Sequence, residues 1–230
     1  MIQHLGVVLD GNRRFAKRLM KKPWKGHEWG AGKVRKLIDW CYDLGMQELT
    51  MYAFSMQNFN RPAEEFKYLM DLFKKEFDRL NQPDNIKELM DKGIRVRVIG
   101  RINMFASEIQ ECMELIMDKT KDNTKFFVNF AMAYGGREEI LDAVEALATK
   151  IREGSIQEIT KEVFEDHLYI KSEPELIIRT GGDRRTSNFL VWQSYYSEWL
   201  FLDKFWPEFD RTDLISAVDN FENRDRRFGR

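Results

Sequence analysis

The sequence predicts an α/β fold, a mostly parallel central sheet flanked by helices. Three observations carry that prediction. Short apolar runs alternate with longer stretches of helical spacing along the whole chain, the pattern of strand–helix–strand units. At 230 residues and 43% hydrophobic content, with no repeat, low-complexity stretch or linker, the chain reads as one domain over 1–230. Polar clusters follow three of the apolar runs directly, and ligands of parallel sheets bind at the carboxyl ends of strands.

The elements follow in order. Residues 5–9 read as a buried strand, and residues 29–44 as a helix that stops at Gly45. Residues 48–55, ELTMYAFS, form the next strand. A long helix over 62–80 is opened by proline and carries Phe66, Leu69, Met70, Phe73 and Phe77 on one stripe. Residues 94–100 alternate as a strand, 107–119 are helical, 125–133 form a strand and 137–152 a helix. Residues 175–182 read as strand then loop, an aromatic-rich segment follows, and 213–221 are helical. The basic residues 224–230 read as a tail.

Charged residues make up 33% of the chain, but the net charge of −1 lacks the basic excess of a nucleic-acid binder. Cys41 and Cys112 are far apart and in no metal-ligand spacing, so they read as buried thiols of a reducing cytoplasm. No signal peptide is evident, and no apolar stretch approaches the roughly 18 residues that span a bilayer. A cytoplasmic protein with at most a peripheral membrane contact is expected, and no basic amphipathic anchor is evident.

The three clusters are Asp10-Gly11-Asn12-Arg13-Arg14, the segment 55–61 (SMQNFNR) and the segment 179–187 (RTGGDRRTS). Glycine lets backbone N–H groups approach phosphate oxygens, and arginine offers a two-pronged donor. An acid in such company makes sense if a divalent cation such as Mg²⁺ bridges it to a diphosphate. Taken alone, Asp10 also reads as a cap of the helix that begins near Asn12. The segment 26–34 (GHEWGAGKV) is no nucleotide-binding P-loop, because His27 stands where the first glycine is needed and Val34 follows Lys33. Asp-Asp-x-x-Asp helices, the mark of the all-helical prenyl synthases, are absent.

Taken together, "HLGVVLDGNRRFA…GH" at 4–27, "YAFSMQNFNRP" at 52–62, "AYGGR" at 133–137 and the long stretch 178–209 resemble the cis-prenyltransferases, the undecaprenyl diphosphate synthase-like family, over nearly the whole chain. The resemblance implies a Mg²⁺-dependent condensation of an allylic prenyl diphosphate with isopentenyl diphosphate. The chain would grow in cis geometry into an apolar tunnel between sheet and helices, in a homodimer. By position it implies that Asp10 holds Mg²⁺ and assists loss of the allylic diphosphate. Gly11, Asn12, Arg13, Arg14, Phe15, His27, Phe59 and Arg61 would surround that diphosphate, and Arg61 and Glu65 would support the flexible segment that closes over the substrate. Ser55 and Asn58 would lie beside the reacting carbons. Since an amide is a poor base, a diphosphate oxygen would take the proton and Asn58 would orient it. Arg179, Arg185 and Ser187 would bind the acceptor diphosphate. Glu198 would complete the metal site, from the neighbouring subunit's side of the interface. Met70, Phe73 and Phe126 would narrow the tunnel, with Phe126 at its floor. Arg227-Phe228-Gly229 resembles the family's C-terminal element.

Several positions depart from the family pattern. Arg13 replaces a small residue, Phe15 and Phe59 replace tryptophan, Gln57 replaces glutamate, and Asp183 stands where glutamate is common. Pro23 stands where many members place a diphosphate-binding arginine, for which Arg13, Lys22 or Lys25 would substitute. These departures predict an active enzyme with relaxed donor or acceptor choice. A catalytic-type subunit that needs a partner chain is the alternative. Asp10, Asn12 and Arg14 argue against a non-catalytic partner, and the failed P-loop spacing argues against a phosphotransferase.

Overall fold

The computed structural model describes residues 2–223. Residues 224–230, including the Arg227-Phe228-Gly229 element, lie outside that range. Six strands form one all-parallel sheet in the order β3-β4-β2-β1-β5-β6. They are β1 (His4–Val8), β2 (Glu48–Ser55), β3 (Ile94–Ile99), β4 (Phe126–Tyr134), β5 (Leu176–Arg179) and β6 (Glu198–Phe201). The helices are α1 (Asn12–Arg18), α2 (Gly26–Asp43), α3 (Ala63–Leu80), α4 (Pro83–Lys92), α5 (Ser107–Lys119), α6 (Gly136–Arg152), α7 (Lys161–Glu165) and α8 (Arg211–Glu222).

The sheet's two faces are covered unequally. Leu5, Val7, Leu49 and Met51 point to one face and join Leu37, Leu69, Ile109 and Leu214 of α2, α3, α5 and α8 in the large core. The alternate residues Val8, Tyr52 and Ile177 join Phe189 and Leu190 in a smaller core on the other face. Near the carboxyl end of β2 the pairing with β4 shifts between Tyr52, Phe54 and Ser55. Such irregularities twist a strand end and re-aim its side chains, here at Ser55.

Most predicted elements stand within a few residues of their predicted limits. α2 starts at Gly26 rather than near residue 29, because a short 3-10 turn at Pro23–Lys25 leads into it. α4, α7 and β6 were not predicted. α4 has Pro83 at its first turn and Gly93 at φ 65° behind it, but it buries only Leu89, so its apolar pattern is thin. Cys41 is buried as expected, while Cys112 is only half-buried and its Sγ donates to Asp78 Oδ1 at 2.9 Å.

α1 ends in a left-handed turn. Lys21 N–H donates to Ala16 O and Met20 N–H to Lys17 O, both at 2.9 Å. The left-handed position of this motif normally holds glycine. Here it is Met20, at φ 53° and 94% exposed. Such a backbone costs a residue with a Cβ about 1–2 kcal/mol.

Candidate active site

The predicted clusters meet because β1, β2 and β5 are neighbours and run the same way. Their carboxyl ends deliver Asp10, Ser55 and Arg179 to one rim of the sheet. There a cavity of about 660 Å³ opens, bounded by Asp10, His27, Ser55, Asn58, Arg179 and Ser187 among others. From this polar end it runs between the sheet and α2, α3 and α4, past Phe54, Leu69, Phe73, Phe77 and Phe130. The resemblance implied an apolar tunnel between sheet and helices, and the wall of this cavity differs from that expectation at two residues. Phe126 and Met70 are not on its wall, and Phe126 is fully buried beside Tyr42. Phe77 and Phe130, ring centroids 5.9 Å apart, stand in the wall instead. The far end is polar again, where Arg35, Asp39, Glu76, Arg79, Glu88 and Lys92 line it in ion pairs.

Asp10 is the hub of the polar end. Its Oδ2 accepts from Arg179 Nη2 at 2.8 Å, and its Oδ1 accepts from Gly11 N–H at 2.6 Å and Arg14 Nη2 at 3.3 Å. Burial alone would raise its pKa, but the bond and charge of Arg179, with Gly11 and Arg14, outweigh burial and hold it below the ordinary carboxylate value. The side chain does not cap α1, whose N-cap is Gly11 without a side-chain bond. Gly11 sits at φ 101°, and a Cβ there would come within 2.8 Å of Phe205. That residue type is required by backbone and by space.

Arg179 is 3% exposed. Its Nη1 donates to Arg185 O and to Ser187 Oγ, both at 2.6 Å, and its Nε is buried without a partner. Asp183 Oδ2 accepts from both Arg14 and Arg185 at 3.0 Å. Two carboxylates, Asp10 and Asp183, thus occupy guanidinium groups that are otherwise suited to phosphate oxygens. Ser187 and Asn188, at φ 51° and 65°, bend the loop so that both face the cavity.

Ser55 and Asn58 are joined across the turn after β2. Ser55 N–H donates to Asn58 Oδ1 at 2.9 Å. That bond occupies the amide's carbonyl and leaves its NH₂ to donate. Next to them, Arg61 is paired with Glu65, and its Nη1 donates to His27 Nε2 at 3.4 Å. Glu65, 2% exposed, also faces Arg13 Nε at 3.5 Å. Burial, with Arg61 and Arg13 nearby, lowers the His27 pKa from 6.5 to about 3, so the ring is a neutral hydrogen-bonding group at pH 7.

Not every predicted residue faces the cavity. Gly11, Arg13, Arg14, Phe15, Phe59 and Arg185 are not on its wall. Phe15 packs edge-on against Trp29, 5.5 Å between centroids, and Phe59 against Phe54 at 5.1 Å. Asn12 is on the wall, and its Nδ2 donates to Leu9 O at 2.9 Å. Glu198 lies at the other end of its strand, since β6 pairs it with Leu176 and pairs Phe201 with Arg179. At about 3.3 Å per residue, three positions separate it by roughly 10 Å from the level of Arg179. Within one chain it does not join Asp10, and among the described residues no cluster of three or more acid, histidine or cysteine side chains suited to a metal forms. Two contributors stand inside segments singled out in the sequence but had no role assigned there. Thr180 Oγ1 accepts from Asp10 N–H at 3.1 Å and donates to Asp10 O at 2.8 Å, and Tyr52 lines the cavity while its hydroxyl donates to Tyr134 O at 3.1 Å. Thr180's place directly after a strand was the available signal.

An ionised carboxylate among guanidinium groups, above a long apolar cavity, defines an enzyme site for a molecule with an anionic head and a hydrocarbon tail. The sequence model of the family described as "Putative undecaprenyl diphosphate synthase" matches residues 8–229. A tritrans,polycis-undecaprenyl-diphosphate synthase (geranylgeranyl-diphosphate specific) of Methanocaldococcus jannaschii is 45% identical over 99% of this chain and 82% of its own. An isoprenyl transferase of Thermus thermophilus is 42% identical over 100% of this chain and 89% of its own. The crystal structure of lavandulyl diphosphate synthase from Lavandula x intermedia in complex with dimethylallyl diphosphate superposes with a TM-score of 0.92. It is 31% identical and covers 100% of this chain and 98% of that one. The chain belongs to the undecaprenyl diphosphate synthase family and is a prenyltransferase of the cis type.

Proposed function

We propose that the chain acts as one catalytic unit and elongates an allylic diphosphate, geranylgeranyl diphosphate by the names of its relatives, with isopentenyl diphosphate. The observation that carries this reading is the Asp10–Arg179 pair at the mouth of the apolar cavity. In each cycle the C–O bond to the allylic diphosphate breaks. The double bond of isopentenyl diphosphate forms the new C–C bond, and a proton leaves to a diphosphate oxygen. Arg179, Arg185 and Ser187 bind the acceptor head, and Arg14, Arg61 and neutral His27 bind the donor head. Asn58 donates its NH₂ to an oxygen and so aims the proton acceptor, since its own carbonyl is engaged by Ser55. Gly11 and Asn12 shape the loop beneath, while Arg13, Phe15 and Phe59 act from behind it.

Mg²⁺ fits Asp10, whose carboxylate is ionised and lies at the cavity mouth, because Mg²⁺ is commonly held by one or two carboxylates together with substrate phosphates. When bound it would supply charge neutralisation to the departing diphosphate. Glu198 would assist from a second copy in a homodimer. The exposed Leu141, Val144, Val191, Tyr195 and Tyr196 support that assembly. Phe189, Leu190 and Trp206 of the same aromatic-rich region are core.

The test gives the purified chain labelled isopentenyl diphosphate, allylic donors of C5 to C20 and Mg²⁺. Elongation preferring the C20 donor supports the reading. The likeness to a synthase solved with dimethylallyl diphosphate supports the second reading, relaxed donor or acceptor choice, and comparable rates across donors and acceptors would favour it. Activity only after a second protein is added would show the partner-dependent alternative.

A further inference from the structure

We propose that the turn after α1 is a docking surface for an anionic lipid bilayer. Between residues 13 and 25 the chain carries seven cations, and between 11 and 27 it carries no acid, although its net charge is −1. Residues 17–22, KRLMKK, are all exposed. At the tip stand Leu19, 44% exposed, and Met20, 94% exposed. Met20 occupies a left-handed position that glycine fills without strain. The fold thus holds a large apolar side chain in water at a place where neither packing nor backbone asks for one. Lys17 and Lys21 flank it without a carboxylate partner among the described residues, whereas Arg18, Lys22 and Lys25 are tied to Glu208, Glu64 and Glu28.

Apolar tips between lysines fit the boundary between headgroups and acyl chains, with the cations at the anionic surface. A soluble polyanion would use the lysines and leave Leu19 and Met20 without a role. The sequence reading found no basic amphipathic anchor because six consecutive residues share neither a strand period nor a helix period. The left-handed turn at Met20 breaks the helix period between them. The turn is also at the site's end of the sheet. α1 begins two residues after Asp10, and Lys22 is paired with Glu64, the neighbour of the residue that holds Arg61. The proposal stands on this surface alone and does not depend on which diphosphates the site takes.

The experiment is flotation of the purified full chain with vesicles of phosphatidylcholine, with and without phosphatidylglycerol, at low and high salt. Wild type is expected to float with the anionic vesicles at low salt and to stay down with the neutral ones. Lys17→Ala with Lys21→Ala is expected to lower partitioning about 25-fold, about fivefold for each lysine. Met20→Gly is expected to lower it several-fold while raising Tm, which separates lost docking from lost folding. Equal flotation of wild type and the double variant would overturn the proposal, as would equal flotation on both vesicle types or none on either. Binding to heparin that Met20→Gly leaves unchanged, without vesicle binding, would overturn it in favour of an acidic macromolecule.

Discussion

Asp10 and His27 show how single side chains are tuned by what surrounds them. Asp10→Asn removes the carboxylate that Arg179 is bonded to, and turnover is expected to fall at least about 100-fold in the labelled-substrate assay. The same change leaves a nearly buried guanidinium with neutral partners only, so a loss of about 1–3 kcal/mol should appear in denaturant unfolding. His27 makes the pH prediction. Its folded pKa of about 3 lies below the unfolded value of 6.5, so below pH 6.5 the unfolded chain binds more protons. Its contribution to stability is fully present above pH 6.5 and is lost as the pH falls toward 3. Urea midpoints over that window should slope less in His27→Gln than in wild type. An unchanged slope would mean that the ring is protonated in the folded protein. These residues were visible in the sequence as motif members, but their partners were not. The sequence offers Asp10 as a cap or as a ligand; in the structure it does not cap α1, and Arg179 in the adjacent strand holds it.

At the scale of elements, α1 and α2 are locked by a close approach. A Cβ on Gly26 would lie 1.9 Å from the backbone oxygen of Asn12. No side-chain rotation relieves that contact, so Gly26→Ala should cost about 2–3 kcal/mol and weaken donor binding through displacement of α1. Unaltered stability and KM would show that the two helices slide apart freely. α3 brings Phe73 and Phe77 to the cavity wall, and β4 brings Phe130. Phe77→Ala is expected to shift products toward longer chains by thin-layer chromatography, and Phe126→Ala to leave the length distribution in place. The strands other than β6 were legible because a buried parallel strand must be apolar for several residues in succession, whereas β6 is only half-buried. α4 was not legible, because it contributes a single buried side chain, Leu89.

The whole molecule decides how the site is completed. Glu198 and Asp10 lie at different levels of the sheet, so the proposed sharing of a metal between them would need a second copy. Co-expressed Asp10→Ala and Glu198→Ala chains, each inactive alone, should recover roughly a quarter of wild-type activity. Half of a random population of two-fold dimers is mixed, and each mixed dimer has one intact site. No recovery would place both residues' roles within one chain, or remove Glu198 from the site.

By itself the sequence determined the strand–helix alternation, the three polar clusters at strand ends and the family. Each of these is written in contiguous residues, whose periodicity and chemistry act locally. The tertiary structure alone decided which strands are neighbours, and therefore that Asp10 meets Arg179, that the Asn58 carbonyl is engaged by Ser55, and that Glu198 is remote. It also decided that Phe130 rather than Phe126 faces the cavity, and that Met20 is held out in water. These outcomes depend on strand order, register and the direction of each side chain, which are set by packing between segments distant in sequence.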